Sequence, residues 1–392
     1  MYSSISHIAP SRMWLATLGL SLCSMGIASF PQSAAALTVT EELNQLTAEF
    51  NTLLDQEIEA LNGTLPDSNI SLFDVNTLFA DVLPNEFDTS QSCVQGPPLA
   101  PASAPTSICD NPDEFLLFDE VHPTSAAHSR IADTAIAALD PAVMAQTTNL
   151  MIFGDSLSDV GNVFGFAGGT FPFPVAVQGP LAGTPLYTQG AFTNESVWWQ
   201  DITAAWGLNE PVPYYANALS NNFPASLEDG INFAVGGSTT GIDNAGNAQN
   251  PPFPVDLPGL QDQIDAFDSL LGETGEADPD ALYVVWAGPN NFLGAFVPED
   301  PTNPFGPFQD FTKDPAQPVG DISAAIATLH ERGARNFLVG NSYDLGDTPL
   351  GRDLEFLNTP PAQPVPEPTP LAGTLAVVGL WLVYRKVRRV ER

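Results

Sequence analysis

The chain has 392 residues, 44% of them hydrophobic, and carries 46 acidic against 11 basic side chains for a net charge of −35. That is too apolar for an intrinsically disordered chain and long enough for one large domain or two small ones. Residues 37–370 keep only five basic side chains (Arg130, Lys313, Arg332, Arg335, Arg352) against 45 acids, a net of −40, and a body that acidic repels phosphate backbones, which excludes a nucleic-acid partner.

At the N-terminus, Arg12 precedes an apolar run from Met13 to Phe30, followed by Ser33-Ala34-Ala35-Ala36. A basic residue, an apolar stretch and small residues at a cleavage point describe a secretory signal peptide over 1–36, with a membrane anchor as the competing reading. Cys23 is expected to leave with this segment. From Glu41 to Leu61 the apolar residues Leu43, Leu46, Phe50, Leu53, Leu54, Ile58 and Leu61 recur at three-and-four spacing, which predicts a helix with one buried stripe. Thr38 and Glu41 can form its capping box. Ile70–Val75 reads as a buried strand. Cys93 and Cys109 are expected to pair in an exported chain, closing a loop worth roughly 3 kcal/mol; two free thiols are the alternative.

Phe118-Asp119-Glu120-Val121-His122-Pro123-Thr124 carries the first candidate chemistry. His122 can act as a general base and Asp119 can orient its ring from within the same loop. The plain alternative for a single histidine is surface or packing. His128 and His330 fall within helical patterns, the first of them in the helix predicted at Ser125–Leu139. Asp119, Glu120, His122 and His128 lack a standard metal-ligand spacing, so no metal site is expected.

Strand Leu150–Phe153 runs into Gly154-Asp155-Ser156-Leu157-Ser158-Asp159-Val160-Gly161-Asn162. A serine on a tight turn after a strand exposes its hydroxyl for nucleophilic attack, although Asp and Ser are also ordinary turn residues. The next strand, Ile231–Val235, ends at Gly236-Gly237-Ser238, where a backbone N–H can approach a substrate. Helix Leu257–Leu271 leads to strand Leu282–Ala287 and then to Gly288-Pro289-Asn290-Asn291, where Asn290 offers an amide donor. Helix Ile322–Leu329 and strand Phe337–Val339 follow. The long loops 163–190 and 293–319 are rich in Gly, Pro and Phe. Phe164, Phe166, Phe171, Phe173, Phe292, Phe296, Phe305, Phe308 and Phe311 either line a site mouth suited to an acyl chain or pack those loops on the body. Residues 359–370 read as a Pro-rich linker. After Val365-Pro366-Glu367-Pro368, an apolar stretch Leu371–Tyr384 is short of the roughly 20 residues that span a bilayer, and a basic tail follows.

Strands alternating with helices indicate an α/β sandwich with a central parallel sheet, whose site sits at the carboxyl ends of the strands. Together the Gly-Asp-Ser, Gly237, Asn290 and Asp-x-x-His segments resemble the GDSL, or SGNH, family of serine esterases and lipases, as do Phe192-Thr193-Asn194 and Asn341–Pro349. The resemblance implies a flavodoxin-like α/β/α domain with a mostly parallel five-stranded sheet. It makes Ser156 the nucleophile and an oxyanion donor, Gly237 and Asn290 the other donors, His122 the base and Asp119 its partner. It implies carboxylic-ester hydrolysis through an acyl-enzyme without a cofactor, on a lipid or an acylated polymer. Polysaccharide acetyl-ester hydrolysis and a noncatalytic matrix or surface role are the alternatives. The C-terminal arrangement over 371–392 resembles a PEP-CTERM sorting signal, which implies exosortase-type processing, export to the surface or matrix of a Gram-negative-type bacterium, and membrane contact only through that segment.

Two departures stand out. Asn291 occupies the position of the usual Asp, and the Asp-x-x-His block precedes the serine block instead of following it. A circular permutation restores the usual order: 37–140 would be equivalent to the family's C-terminal part and 148–358 to its N-terminal part, in one domain over 37–358. Two truncated domains completed by another molecule are the competing arrangement.

Overall fold

The computed structural model describes residues 37–96, 105–168, 186–187, 190–219, 227–248, 255–272, 275–297 and 300–358. The expected signal peptide, linker and C-terminal segment lie outside these residues. Among the described residues no helix is long and apolar enough to cross a membrane.

Helix α1 (Val39–Thr64) buries Leu43, Leu46, Phe50, Leu54, Ile58 and Leu61 along one stripe, as their spacing predicts. Its capping box forms: the Glu41 N–H donates to Thr38 Oγ1 at 3.1 Å, and the Thr38 N–H donates to Glu41 Oε2 at 2.9 Å.

The strands are β1 (Asn69–Phe73), β2 (Val94–Gln95), β3 (Ser107–Ile108), β4 (Leu150–Gly154), β5 (Val212–Pro213), β6 (Ile231–Asn232), β7 (Leu282–Trp286) and β8 (Asn336–Gly340). Six of them make one parallel sheet in the order β1-β8-β7-β4-β6-β5. Five overlap the predicted apolar runs, although β6 keeps only the first two residues of Ile231–Val235, and β1 and β7 end before Val75 and Ala287. The sixth, β5, is a two-residue edge strand containing a proline, which only an edge tolerates and no apolar pattern announces. β2 and β3 form a small antiparallel ladder stapled at its base by the Cys93–Cys109 disulfide.

The remaining helices are α2 (Ser125–Ala138), α3 (Pro141–Gln146), α4 (Asn162–Phe166), α5 (Trp198–Trp206), α6 (Tyr214–Leu219), α7 (Leu260–Leu271), α8 (Pro289–Gly294), α9 (Ala316–Glu331) and α10 (Pro349–Asn358). Helix α1 packs on β1 and α9, and α9 packs on α7; α2 packs on β1 and α5. Side chains alternate between the faces of a strand, so the two helix groups read different residues of β7. Tyr283 meets Phe267 of α7 with ring centroids 5.9 Å apart, whereas Trp286 meets Trp198 of α5 at 5.6 Å. The sheet is therefore covered on both faces, which is why its strands are apolar throughout.

The loop expectations need correction. Helix α4 occupies 162–166, and α9 already begins at Ala316. Phe292 and Phe296 are buried in the main core and line no site mouth; Phe171 and Phe173 lie outside the described residues. Phe50 of α1 is fully buried, packs edge-on against Phe292 at 5.7 Å, and lies where a side chain on Gly288 would come within 2.9 Å of its ring. Phe50→Ala is expected to cost about 3–5 kcal/mol in urea unfolding. A loss under about 1 kcal/mol would mean that this contact does not anchor α1 to the sheet.

Candidate active site

The site lies where β4, β6 and β7 end. Strand β4 delivers Gly154, where a side chain would come within 2.2 Å of the Trp286 carbonyl oxygen on the neighbouring strand. Glycine lets β4 and β7 stay paired to their last residue, Gly154 opposite Trp286. The chain then turns at Asp155 and Ser156. The Leu157 N–H donates to Asp155 Oδ1 at 3.0 Å, which closes the turn from inside.

His122 comes from the loop between β3 and α2. Its Nε2 lies 2.8 Å from Ser156 Oγ, and its Nδ1 lies 2.8 Å from Asp119 Oδ2 and 3.0 Å from Oδ1. The residues that were expected to meet across the swapped chain order thus do meet, within one chain. Asp119 is 2% exposed. Its Oδ1 also accepts the N–H groups of Val121 (3.0 Å) and His122 (2.8 Å), and its Oδ2 accepts the Tyr187 hydroxyl at 2.6 Å. Burial raises the carboxyl's pKa, but the His122 charge and these hydrogen bonds outweigh it and hold Asp119 below the usual aspartate range. An ionised Asp119 selects the His122 tautomer that carries its proton on Nδ1, leaving Nε2 to accept from Ser156.

Gly237, at φ +84°, turns the chain after β6; a side chain there would come within 2.5 Å of Asn244 Oδ1. The Asn290 amide donates to Ser238 O at 3.0 Å and more weakly toward Asp155 Oδ2 at 3.5 Å, which brings it to the serine turn. Asn291, the departure from the family pattern, is buried and uses both ends of its amide. Its Oδ1 accepts the Thr240 N–H, while its Nδ2 donates to Thr240 Oγ1 and to Asp310 O, each at 3.0 Å. An aspartate could make only the first of these bonds, so asparagine ties the loop by a different set of partners.

Several supporting residues carried no assigned role in the sequence. Asp159 accepts N–H groups from Asn162 (2.7 Å), Val163 (3.1 Å) and Gly236 (2.9 Å), so one carboxylate joins the serine loop to the glycine loop. Burial pushes its pKa up to about 7 against those three donors, and likewise pushes Asp155 to about 7. Gln263 of α7 brackets the end of β4, accepting from the Gly154 N–H and donating to the Gly154 carbonyl, both at 2.8 Å. Its position inside an amphipathic helix gave no signal of this.

The two extra segments brace the His122 loop from opposite sides. Thr193 Oγ1 donates to Pro123 O at 2.9 Å, Asn194 Oδ1 accepts the Ser125 N–H at 2.8 Å, and the Phe192 ring lies 5.0 Å from the imidazole. Tyr343 Oη donates to Val121 O at 2.7 Å. His128 is buried in α2, where its Nδ1 accepts the Trp198 N–H at 3.4 Å; burial, with the charge of His122, pushes its pKa down to about 3. Among the described residues no group of His, Cys, Asp and Glu is clustered to hold a metal ion.

A serine hydroxyl, an imidazole and a buried carboxylate in series, at the carboxyl ends of a parallel sheet, are competent for nucleophilic acyl chemistry on an α/β scaffold. The sequence matches the GDSL-like Lipase/Acylhydrolase family over residues 6–135 and 150–376, and the chain belongs to that family of ester-bond hydrolases. It is similar to a GDSL esterase/lipase of Arabidopsis thaliana, 29% identical over 210 residues, or 52% of this chain and 51% of that protein. Phosphatidylcholine-sterol acyltransferase of Aeromonas hydrophila is 27% identical over 206 residues, covering 52% and 47%. An uncharacterized protein in the trpE-trpG intergenic region of Pseudomonas putida is 28% identical over 220 residues, covering 56% and 31%. The chain thus spans about half or less of the length of these relatives.

Proposed function

We propose that this protein hydrolyses carboxylic esters through an acyl-enzyme on Ser156. The observation that carries the reading is the unbroken series from Ser156 Oγ through His122 to Asp119, with both links at 2.8 Å. Ser156 Oγ attacks the ester carbonyl as His122 Nε2 takes its proton. The negative charge then developing on the carbonyl oxygen is met by the backbone N–H groups of Ser156 and Gly237 and by the Asn290 amide. His122 returns the proton to the departing alcohol, and the imidazole next activates water to release the acid. The lead substrate is a lipid or short-chain acyl ester; an acetyl ester on a polysaccharide is the second. Hydrolysis of nitrophenyl esters of graded acyl length by the protein, set against its Ser156→Ala variant, tests both activity and chain length. Equal background rates from both proteins on every ester would overturn the reading and leave a noncatalytic one.

The domain is proposed to be a circular permutant. Counting β4 as the first strand and leaving aside the edge strand β5, the sheet reads β6-β4-β7-β8-β1, the 2-1-3-4-5 order of flavodoxin-like sheets. The two ends also lie side by side: the Gly346 N–H donates to Asn44 Oδ1 at 2.7 Å, and the Thr40 N–H donates to Glu355 Oε2 at 3.2 Å. A chain rebuilt to run 148–358 and then 38–139 is expected to fold as a monomer and keep its esterase activity. A soluble but inactive product would count against the permutation. Export is proposed as well, supported by the Cys93–Cys109 disulfide, which suits an oxidising compartment.

A further inference from the structure

Tyr187 is 5% exposed and lies among Phe118, Val163, Phe192 and Val235. Its ring meets Phe118 edge-on at 5.7 Å and lies 5.9 Å from Phe192, which itself lies 5.0 Å from the His122 ring. In that apolar setting a phenol hydroxyl needs a partner, and it finds one in Asp119 Oδ2 at 2.6 Å. The two oxygens of Asp119 are held differently. Oδ1 is fixed by two backbone N–H groups of its own loop. Oδ2 meets only side chains, the His122 ring and Tyr187. Without the phenol, Oδ2 keeps the His122 ring and recovers the charge it had shared, but loses the side chain that fixes its angle.

We propose that Tyr187 is a positioning residue for the triad, pinning Asp119 Oδ2 so that the carboxylate faces His122 Nδ1 and the imidazole faces Ser156. This rests on the esterase reading for its catalytic consequence, though not for its effect on the imidazole. Burial, aided by the charge of Asp119, keeps the phenol protonated, so it donates throughout the working range. The hydrogen bond also draws electron density from the carboxylate, which weakens the hold of Asp119 on the imidazolium. The other ionisable groups facing this pair are Glu120 in the same loop, Tyr343 in the loop after β8, Asp155 in the serine turn and His128 of α2; burial beside Asp119 pushes Glu120 up to about 9, so it adds no second negative charge at neutral pH, while burial pushes Asp155 up to about 7 and His128 down to about 3.

Tyr187→Phe keeps the ring and deletes the donor. Its kcat is expected to fall about ten- to a hundredfold, the worth of one hydrogen bond to a charged group, with KM little changed. With more of the Asp119 charge available to it, the His122 imidazolium becomes a weaker acid. The acid limb of the kcat/KM profile therefore moves to higher pH. Nitrogen NMR of the His122 ring reads the same shift without turnover, so a protein that hydrolyses none of the esters offered still decides the matter. Phe118→Leu disturbs the packing around the same ring without touching the hydrogen bond; it should lower Tm and leave the His122 titration where it was. Parent kcat together with a parent His122 titration in folded Tyr187→Phe would overturn the proposal, as would an equal titration shift in Phe118→Leu.

Discussion

Ser156→Ala and His122→Ala, made separately, are each expected to lower kcat by about 10⁴- to 10⁶-fold, and the double variant is expected to fall no further. Neither side chain acts alone. A serine hydroxyl is a weak nucleophile until a base 2.8 Å away takes its proton as the new bond forms. An imidazole without that hydroxyl has no proton to take. Removing either abolishes the same step, so the second removal has nothing left to abolish. The residual rate would come from the amides around Gly237 and from Asn290, which can still stabilise charge on a carbonyl attacked directly by water. Burst kinetics with an activated ester separate acylation from deacylation, and Tm measured in parallel confirms folding, since neither side chain belongs to the core. Losses that multiply in the double variant would mean that the two groups act independently, and the acyl-enzyme reading would fall with them.

How much of this was legible beforehand depends on the kind of signal each residue leaves. Phe50 and its neighbours in α1 announce a helix because burial repeats every three to four residues, and Thr38 announces its start because an N-cap needs a side-chain acceptor. The five apolar runs announce strands because both faces of a parallel sheet are covered. Ser156, His122 and Asp119 could be paired because each stands in a short motif and because the body has few histidines. The supporting residues leave no such trace. Gln263 looks like the polar flank of an amphipathic helix; its role exists only because β4 ends beside it. Tyr187 sits in a stretch without periodicity, 65 positions after His122 in the chain, and only the fold brings its hydroxyl to Asp119. Strand β5 is two residues long and contains a proline, so its pairing with β6 is a property of the sheet edge. The aromatic loops stayed undecided for the same reason: Phe292 and Phe296 are as apolar as any pocket lining, and composition does not say which way a ring points.

Asp119→Asn should be nearly as damaging as loss of the nucleophile, although it changes the side chain by little more than one atom. The Val121 and His122 N–H groups converge on Oδ1, so an asparagine would keep its carbonyl oxygen there and turn its amide nitrogen toward the position of Oδ2. That nitrogen is a donor, and it faces the Tyr187 hydroxyl and His122 Nδ1, both of which now donate to Oδ2. The phenol can rotate its hydrogen away and accept instead. The imidazole can accept only by moving its proton from Nδ1 to Nε2, and then Nε2 points a hydrogen at Ser156 Oγ and cannot take one from it. The geometry would survive while the base is lost, and kcat is expected to fall about 10⁴-fold with little change in Tm. Nitrogen NMR should find the Nδ1-protonated tautomer in the parent and the Nε2-protonated one in the variant. A variant within tenfold of the parent would mean that Asp119 braces the loop without setting the tautomer, and the direction of proton flow proposed for His122 would have to be redrawn.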